Sequence, residues 1–145
     1  MKNFIYTLLF ISTFVLSANT DIRMVNAGAD GQVMVFDPPF LKISKGDSVT
    51  FLPTDMLHNS ESIPSLSPAN GTSWKGEMNE KITVTFDQEG VYIYQCTPHI
   101  ALGMIGVIQV GAGANLADIK KSLSNLESKI FVNKERVGQY LSMVN

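Results

Sequence analysis

The chain holds one cysteine, two histidines and one tryptophan in 145 residues. One cysteine excludes an internal disulfide, so stability must come from a packed core, which a chain of this length can build. Charged residues are also scarce, at 17%, while hydrophobic residues reach 45%. That balance excludes a disordered chain. No basic cluster is present and the formal net charge is −2, which excludes nucleic acid as a partner, since phosphate binding needs a basic face. There is no Met-rich or His-rich tract, no internal repeat and no low-complexity segment. The one long apolar run is Phe4 to Leu16, too short for a typical membrane span.

That run follows the short positive start Met1-Lys2-Asn3 and precedes the small residues Ser17-Ala18. The order matches a cleaved export signal over residues 1–18, leaving 19–145 as a single domain. An uncleaved anchor is the alternative. No cysteine stands near the cut, which argues against a lipid anchor. Losing Lys2 leaves 10 basic against 13 acidic residues, a net charge of −3. Outside the cytoplasm, an unpaired thiol is buried and inert, paired between chains, or held by a metal.

From Asp21 to Val110 the pattern is that of short strands. Ile22–Asn26, Val33–Phe36, Leu41–Ile43, Val49–Phe51, Ile82–Phe86, Val91–Tyr94 and Val107–Val110 are β-rich or alternating, with Gly, Pro and Asp turns between them. Residues 59–80 read as one long surface loop. Such spacing predicts an all-β fold, a Greek-key β-sandwich. After Gly111-Ala112-Gly113, Asn115 can cap a helix with Leu116, Ile119, Leu123 and Leu126 on one face, and a second helix is expected from about Lys134 to Met143. A tail this short cannot bury its own core, so these two helices should pack on the sandwich.

One segment carries chemistry. Between two expected strands, Cys96-Thr97-Pro98-His99-Ile100-Ala101-Leu102-Gly103-Met104 has the spacing C-x2-H-x4-M, and the other histidine, His58, follows an earlier strand. Taken singly, each has a plain reading: a buried small thiol, two loop histidines, a core methionine. Together they form the His2Cys set with a weak axial Met that holds one copper ion in blue-copper sites. Thiolate suits Cu(I) and imidazole suits both oxidation states, so little need rearrange when one electron moves. Zinc takes Cys and His, but Met is not among its usual ligands. A Cys–His nucleophile would need a third orienting group, and none is evident.

On these residues the chain resembles the cupredoxins, and among them the pseudoazurins. The likeness rests on Cys96-Thr97-Pro98-His99 with Gly103-Met104-Ile105-Gly106, and on His58-Asn59 with Glu61-Ser62-Ile63. Met34-Val35-Phe36-Asp37-Pro38 and Gly46-Asp47-Ser48-Val49-Thr50-Phe51 extend it. Plastocyanins share the ligand loop, while the two C-terminal helices favour pseudoazurin. The resemblance implies His58, Cys96 and His99 as equatorial ligands and Met104 as the axial one. Asn59 would donate its backbone N–H to the Cys96 sulfur, Pro98 would pack beside His99, and Met34 would lie near the His99 ring. It implies a monomeric periplasmic electron carrier, not an enzyme, with no stable membrane association. Cytochrome c or copper nitrite reductase would be its partners, reached through the exposed edge of His99. The family rings that edge with lysines, whereas here the loop reads Asp55-Met56-Leu57-His58, which weakens electrostatic steering. A copper-delivery protein and a metal-free β-sandwich interaction module remain the alternatives.

Overall fold

Runs of β-branched and aromatic residues, cut by Gly, Pro and Asp turns, form eight strands in a computed structural model that describes residues 16–145. Most of the expected export signal therefore lies outside the described residues. The strands are β1 (Asn19–Ala27), β2 (Val33–Asp37), β3 (Phe40–Ile43), β4 (Ser48–Pro53), β5 (Glu61–Ser62), β6 (Ile82–Thr85), β7 (Gly90–Gln95) and β8 (Ile105–Val110). They pair into two four-stranded sheets, ordered β2-β1-β4-β6 and β3-β8-β7-β5. Both sheets are mixed: β1 runs parallel to β4 and β3 parallel to β8, while the other pairs are antiparallel.

The sandwich core follows from side-chain alternation. In β1, Ile22 and Met24 point inward and Arg23 outward. In β7 and β8 every residue but Gln95 is buried, yet the alternation persists because both faces are covered. Tyr92, Tyr94, Ile108 and Val110 join Phe36, Phe51, Trp74 and Phe86 between the sheets. Val91, Ile93, Ile105 and Val107 face the other way, against Ile119, Leu126, Ile130, Val137, Tyr140 and Leu141 of the C-terminal tail. The tail thus docks on the sandwich, as its shortness requires.

Two details differ from the sequence reading. The tail forms three short helices, α1 (Leu116–Lys121), α2 (Ser124–Glu127) and α3 (Glu135–Leu141), instead of two. The break falls at Ser122-Leu123, where the Ser122 amide bonds Ile119 O. Ser and Asn neighbours there are weak helix formers, so the chain bends to keep both Ile119 and Leu126 on the core. The loop over 59–80 is also more ordered than its composition suggests. It carries the edge strand β5, and Trp74 is buried with its indole N–H donating to Ser60 Oγ at 2.9 Å. Among the described residues, no helix is long and apolar enough to cross a membrane.

Candidate metal centre

The loop joining β7 to β8 brings three of the expected ligands to one end of the sandwich. Cys96 follows the last residue of β7 and starts a pair of 3-10 turns over Thr97–Leu102, with Pro98 in the first turn. His99 sits at the kink between the turns, at φ −115° and ψ 15°. Gly103, at φ +76°, reverses the chain in a conformation that favours glycine. The loop closes where Cys96 N donates to Met104 O at 3.0 Å, one step beyond the Gln95–Ile105 pair. The four residues between His99 and Met104 are thus the length needed to return opposite Cys96. Cys96 and Met104 are fully buried in the same cluster, and His99 is half-buried.

His58 reaches the same place from the other sheet, at the end of the loop after β4. Leu57 before it has φ +69°, a conformation uncommon for a bulky residue. The strain coincides with a change of direction: Leu57 is 64% exposed and His58 is 0% exposed. Asn79 braces the turn from a neighbouring loop, its side-chain oxygen accepting from Leu57 N–H and its amide donating to His58 O.

The three donor atoms meet. His58 Nδ1 and His99 Nδ1 are 3.1 Å apart, and Cys96 Sγ lies 3.6 Å from the first and 3.4 Å from the second. The centre of that triangle is about 2 Å from each corner, the length of a metal–imidazole bond. The far nitrogen of His58, Nε2, faces Asn26 Oδ1 at 3.0 Å. A carbonyl oxygen only accepts, so Nε2 carries the proton and Nδ1 presents a bare lone pair. Donor atoms converging in this way fit a cation between them, and the thiol–imidazole set with a buried thioether nearby fits copper.

The electrostatics agree. Burial, then the nearby His99, pushes the His58 pKa down, while Asp55 acts in the opposite direction. His58 therefore favours its neutral, metal-binding form. Burial pushes the Cys96 thiol up, and hydrogen bonds from the Asn59 and His99 backbones pull it back. Deprotonating this thiol calls for the compensating charge of a metal.

The other residues singled out by sequence take mixed places. Asn59 is buried, and its side chain ties the ligand loop: Oδ1 accepts from Thr97 N–H at 2.8 Å, and Nδ2 donates to Thr97 Oγ1 at 2.9 Å. Pro98 is exposed and opens the turn. Met34, at φ +51°, is half-buried and packs against the cluster that holds Cys96 and Met104. Sequence reasoning missed Asn26, Asn79 and Arg136. Arg136 is buried in α3 and donates to the carbonyls of Val33, Met34 and Gly103.

Known proteins resemble this chain in sequence and in fold. Copper-binding proteins of the plastocyanin/azurin family match residues 22–111, which include all four expected ligands. Pseudoazurin of Paracoccus pantotrophus is 36% identical over 129 residues, covering 89% of this chain and 86% of its own. Among solved structures, native pseudoazurin from Hyphomicrobium denitrificans aligns with a TM-score of 0.79 at 32% identity, covering 88% of this chain and 98% of that one. A pseudoazurin from Sinorhizobium meliloti aligns with a TM-score of 0.71 at 40% identity, covering 85% and 98%.

Proposed function

Because this chain belongs to the plastocyanin/azurin family of copper-binding proteins, and within it to the pseudoazurins, we propose that it carries single electrons on one copper ion held by His58, Cys96, His99 and Met104. The observation that carries the ligand set is the lone pair of His58 Nδ1, fixed by Asn26 and aimed at His99 Nδ1 and Cys96 Sγ. Bound copper supplies the Cu(I)/Cu(II) couple. The chain supplies the rest. Cys96 gives a thiolate once its proton is displaced. Asn59 and the turn hydrogen bonds hold the loop in one shape, so the donors need not move between oxidation states. His58, Cys96 and Met104 exclude water by burial, while half-buried His99 offers the edge through which an electron enters and leaves.

Partners would dock over that edge. Met56 and Leu57 before His58, and Leu102 in the ligand loop, are exposed apolar residues beside the ligands. They suit a redox protein held mainly by apolar contact, with a c-type cytochrome or a copper nitrite reductase as the candidates. The export signal read in residues 1–18 supports action in the periplasm.

The test is spectroscopic. Cu(II) added to the copper-free protein should give an intense visible thiolate-to-copper band, bleached reversibly by a mild reductant. Cys96→Ser should remove the band. Weak copper binding with no such band in the unsubstituted protein would overturn the reading.

A further inference from the structure

The buried face of α3 consists of Arg136, Val137, Tyr140 and Leu141. Three of these suit a helix packed on a sheet. The first does not, because it places a permanent cation at a site only 3% exposed. Burying a charge is unfavourable unless hydrogen bonds replace its water. Among the described residues no carboxylate forms an ion pair with Arg136. Its partners are backbone carbonyls instead. Nη1 donates to Met34 O at 2.9 Å and Gly103 O at 3.2 Å, and Nη2 donates to Val33 O at 2.9 Å.

Those carbonyls come from two places next to residues proposed as ligands. Gly103 immediately precedes Met104. Val33 and Met34 open the edge strand β2, and Met34 packs against the cluster holding Cys96 and Met104. The neighbouring residues of the tail continue the pattern. Asn133 Nδ2 donates to Leu102 O at 3.0 Å, and the amides of Phe131 and Val132 donate to Ala101 O at 2.9 and 3.1 Å. Each carbonyl from Ala101 to Gly103 thus accepts from the 131–136 segment. A tail that merely covered the outer sheet face would need none of these bonds.

We propose that Arg136 is a positioning residue of the copper site: its guanidinium fork clamps the backbone leading into Met104 to β2, and its buried charge favours Cu(I). The first effect follows from the planar fork, which ties two segments at fixed spacing. The second follows from Coulomb's law, since a fixed positive charge in a low-dielectric interior favours the less positive state of a nearby ion. The tail is therefore a strut for the ligand loop as well as a cover for the sheet.

This inference rests on the copper reading above, and the experiment separates the two. If the unsubstituted protein gives no charge-transfer band, the copper reading fails and this one with it. If it does, Arg136→Met and Arg136→Lys are compared with it by three measurements. These are the intensity ratio of the charge-transfer bands, the reduction potential, and amide hydrogen exchange over residues 101–104 in the copper-free protein. Arg136→Met should change the band ratio, speed the exchange, and lower the Cu(I)/Cu(II) equilibrium constant about tenfold, or about 59 mV for one electron. Arg136→Lys keeps the charge without the fork, so it should recover most of the potential but not the band ratio. Native ratios and potentials in both variants, with only a lower melting temperature, would overturn the proposal. Should neither variant fold, Asn133→Gly keeps the positive φ of 57° at that position and removes the bond to Leu102. It should change the band ratio and speed amide exchange over residues 101–104, and native values of both would show that the tail's hydrogen bonds do not position this backbone and would overturn the proposal.

Discussion

At the residue scale, the proposed ligands were legible and the residues that support them were not. Cys96, His99 and Met104 share one short segment, and His58 is the only histidine left to join them. Asn26 belongs to no motif. It reaches His58 because β1 runs parallel to β4, which brings Asp55 N–H to Met24 O and Asn26 N–H to the Asp55 carboxylate. Partners of metal-bound histidines commonly affect metal affinity 10- to 100-fold. Asn26→Ala should therefore weaken copper binding by about that factor in a chelator competition, and Asn26→Asp, which keeps an acceptor, should recover most of it. Unchanged affinity in Asn26→Ala would mean that packing alone fixes the His58 ring. A second residue-scale prediction concerns acid. Asp47 accepts from the amides of Ala18 and Ser44 at 2.8 and 2.9 Å, and these bonds, Ala18 first, hold its carboxyl below the usual range; the expected cleavage after Ala18 removes the first bond, so in the mature chain the effect rests on the Ser44 amide. A carboxyl whose folded pKa is lowered stabilises the fold above its unfolded value, and that contribution fades as pH falls through the folded one. Asp47→Asn should thus lower the melting temperature at pH 7, and the gap to the parent should close as the solution is taken below the carboxylate range.

At the scale of elements, strand existence could be read from alternation and turns, but strand pairing could not. All seven β-rich runs read from sequence became strands, because each ends at a Gly, Pro or Asp turn that the sequence displays. The two-residue strand β5 shows no periodicity and forms only because β7 lies beside it. The register carries consequences invisible in the sequence. Gly106 of β8 pairs with Tyr94 of β7, and a Cβ there would lie 2.2 Å from Tyr94 Cζ and 2.3 Å from its hydroxyl. The Tyr94 ring has little room to yield, with Phe36 at 4.6 Å and Phe51 at 5.0 Å between ring centroids. Gly106→Ala should cost about 1–3 kcal/mol, as overpacked cores do. It should lower the urea midpoint with little change in slope. A midpoint within error of the parent would show that the aromatic cluster repacks freely.

At the scale of the molecule, the end that holds the ligands is defined by apolar side chains more than by charge. Met56, Leu57, Leu102, Phe131 and Val132 are each at least 37% exposed, and the last two belong to a turn of the tail hydrogen-bonded to the ligand loop. In the sequence Phe131-Val132 stands only as a stretch between two expected helices. Their link to the ligand loop comes from tertiary hydrogen bonds that no periodicity encodes. The charges nearby are of mixed sign: Asp55, Glu77 and Glu80 flank His58 and its bracing loop, while Lys129 and Lys134 flank the Phe131 turn. Opposed charges of this kind steer weakly, so association should depend on apolar burial. Burying one large apolar side chain contributes about 1.5–3 kcal/mol, and 1.4 kcal/mol is about tenfold in an equilibrium constant. Phe131 is 72% exposed and has that surface to lose in a complex. Phe131→Ser should therefore slow bimolecular electron exchange with a c-type cytochrome about tenfold, through weaker docking, while the reduction potential stays at the parent value. Parent and variant should both change little in rate between low and physiological salt. An unchanged rate for Phe131→Ser together with a steep fall in rate as salt rises would instead assign docking to Asp55, Glu77 and Glu80, because screening weakens the attraction of exposed acids for a basic partner.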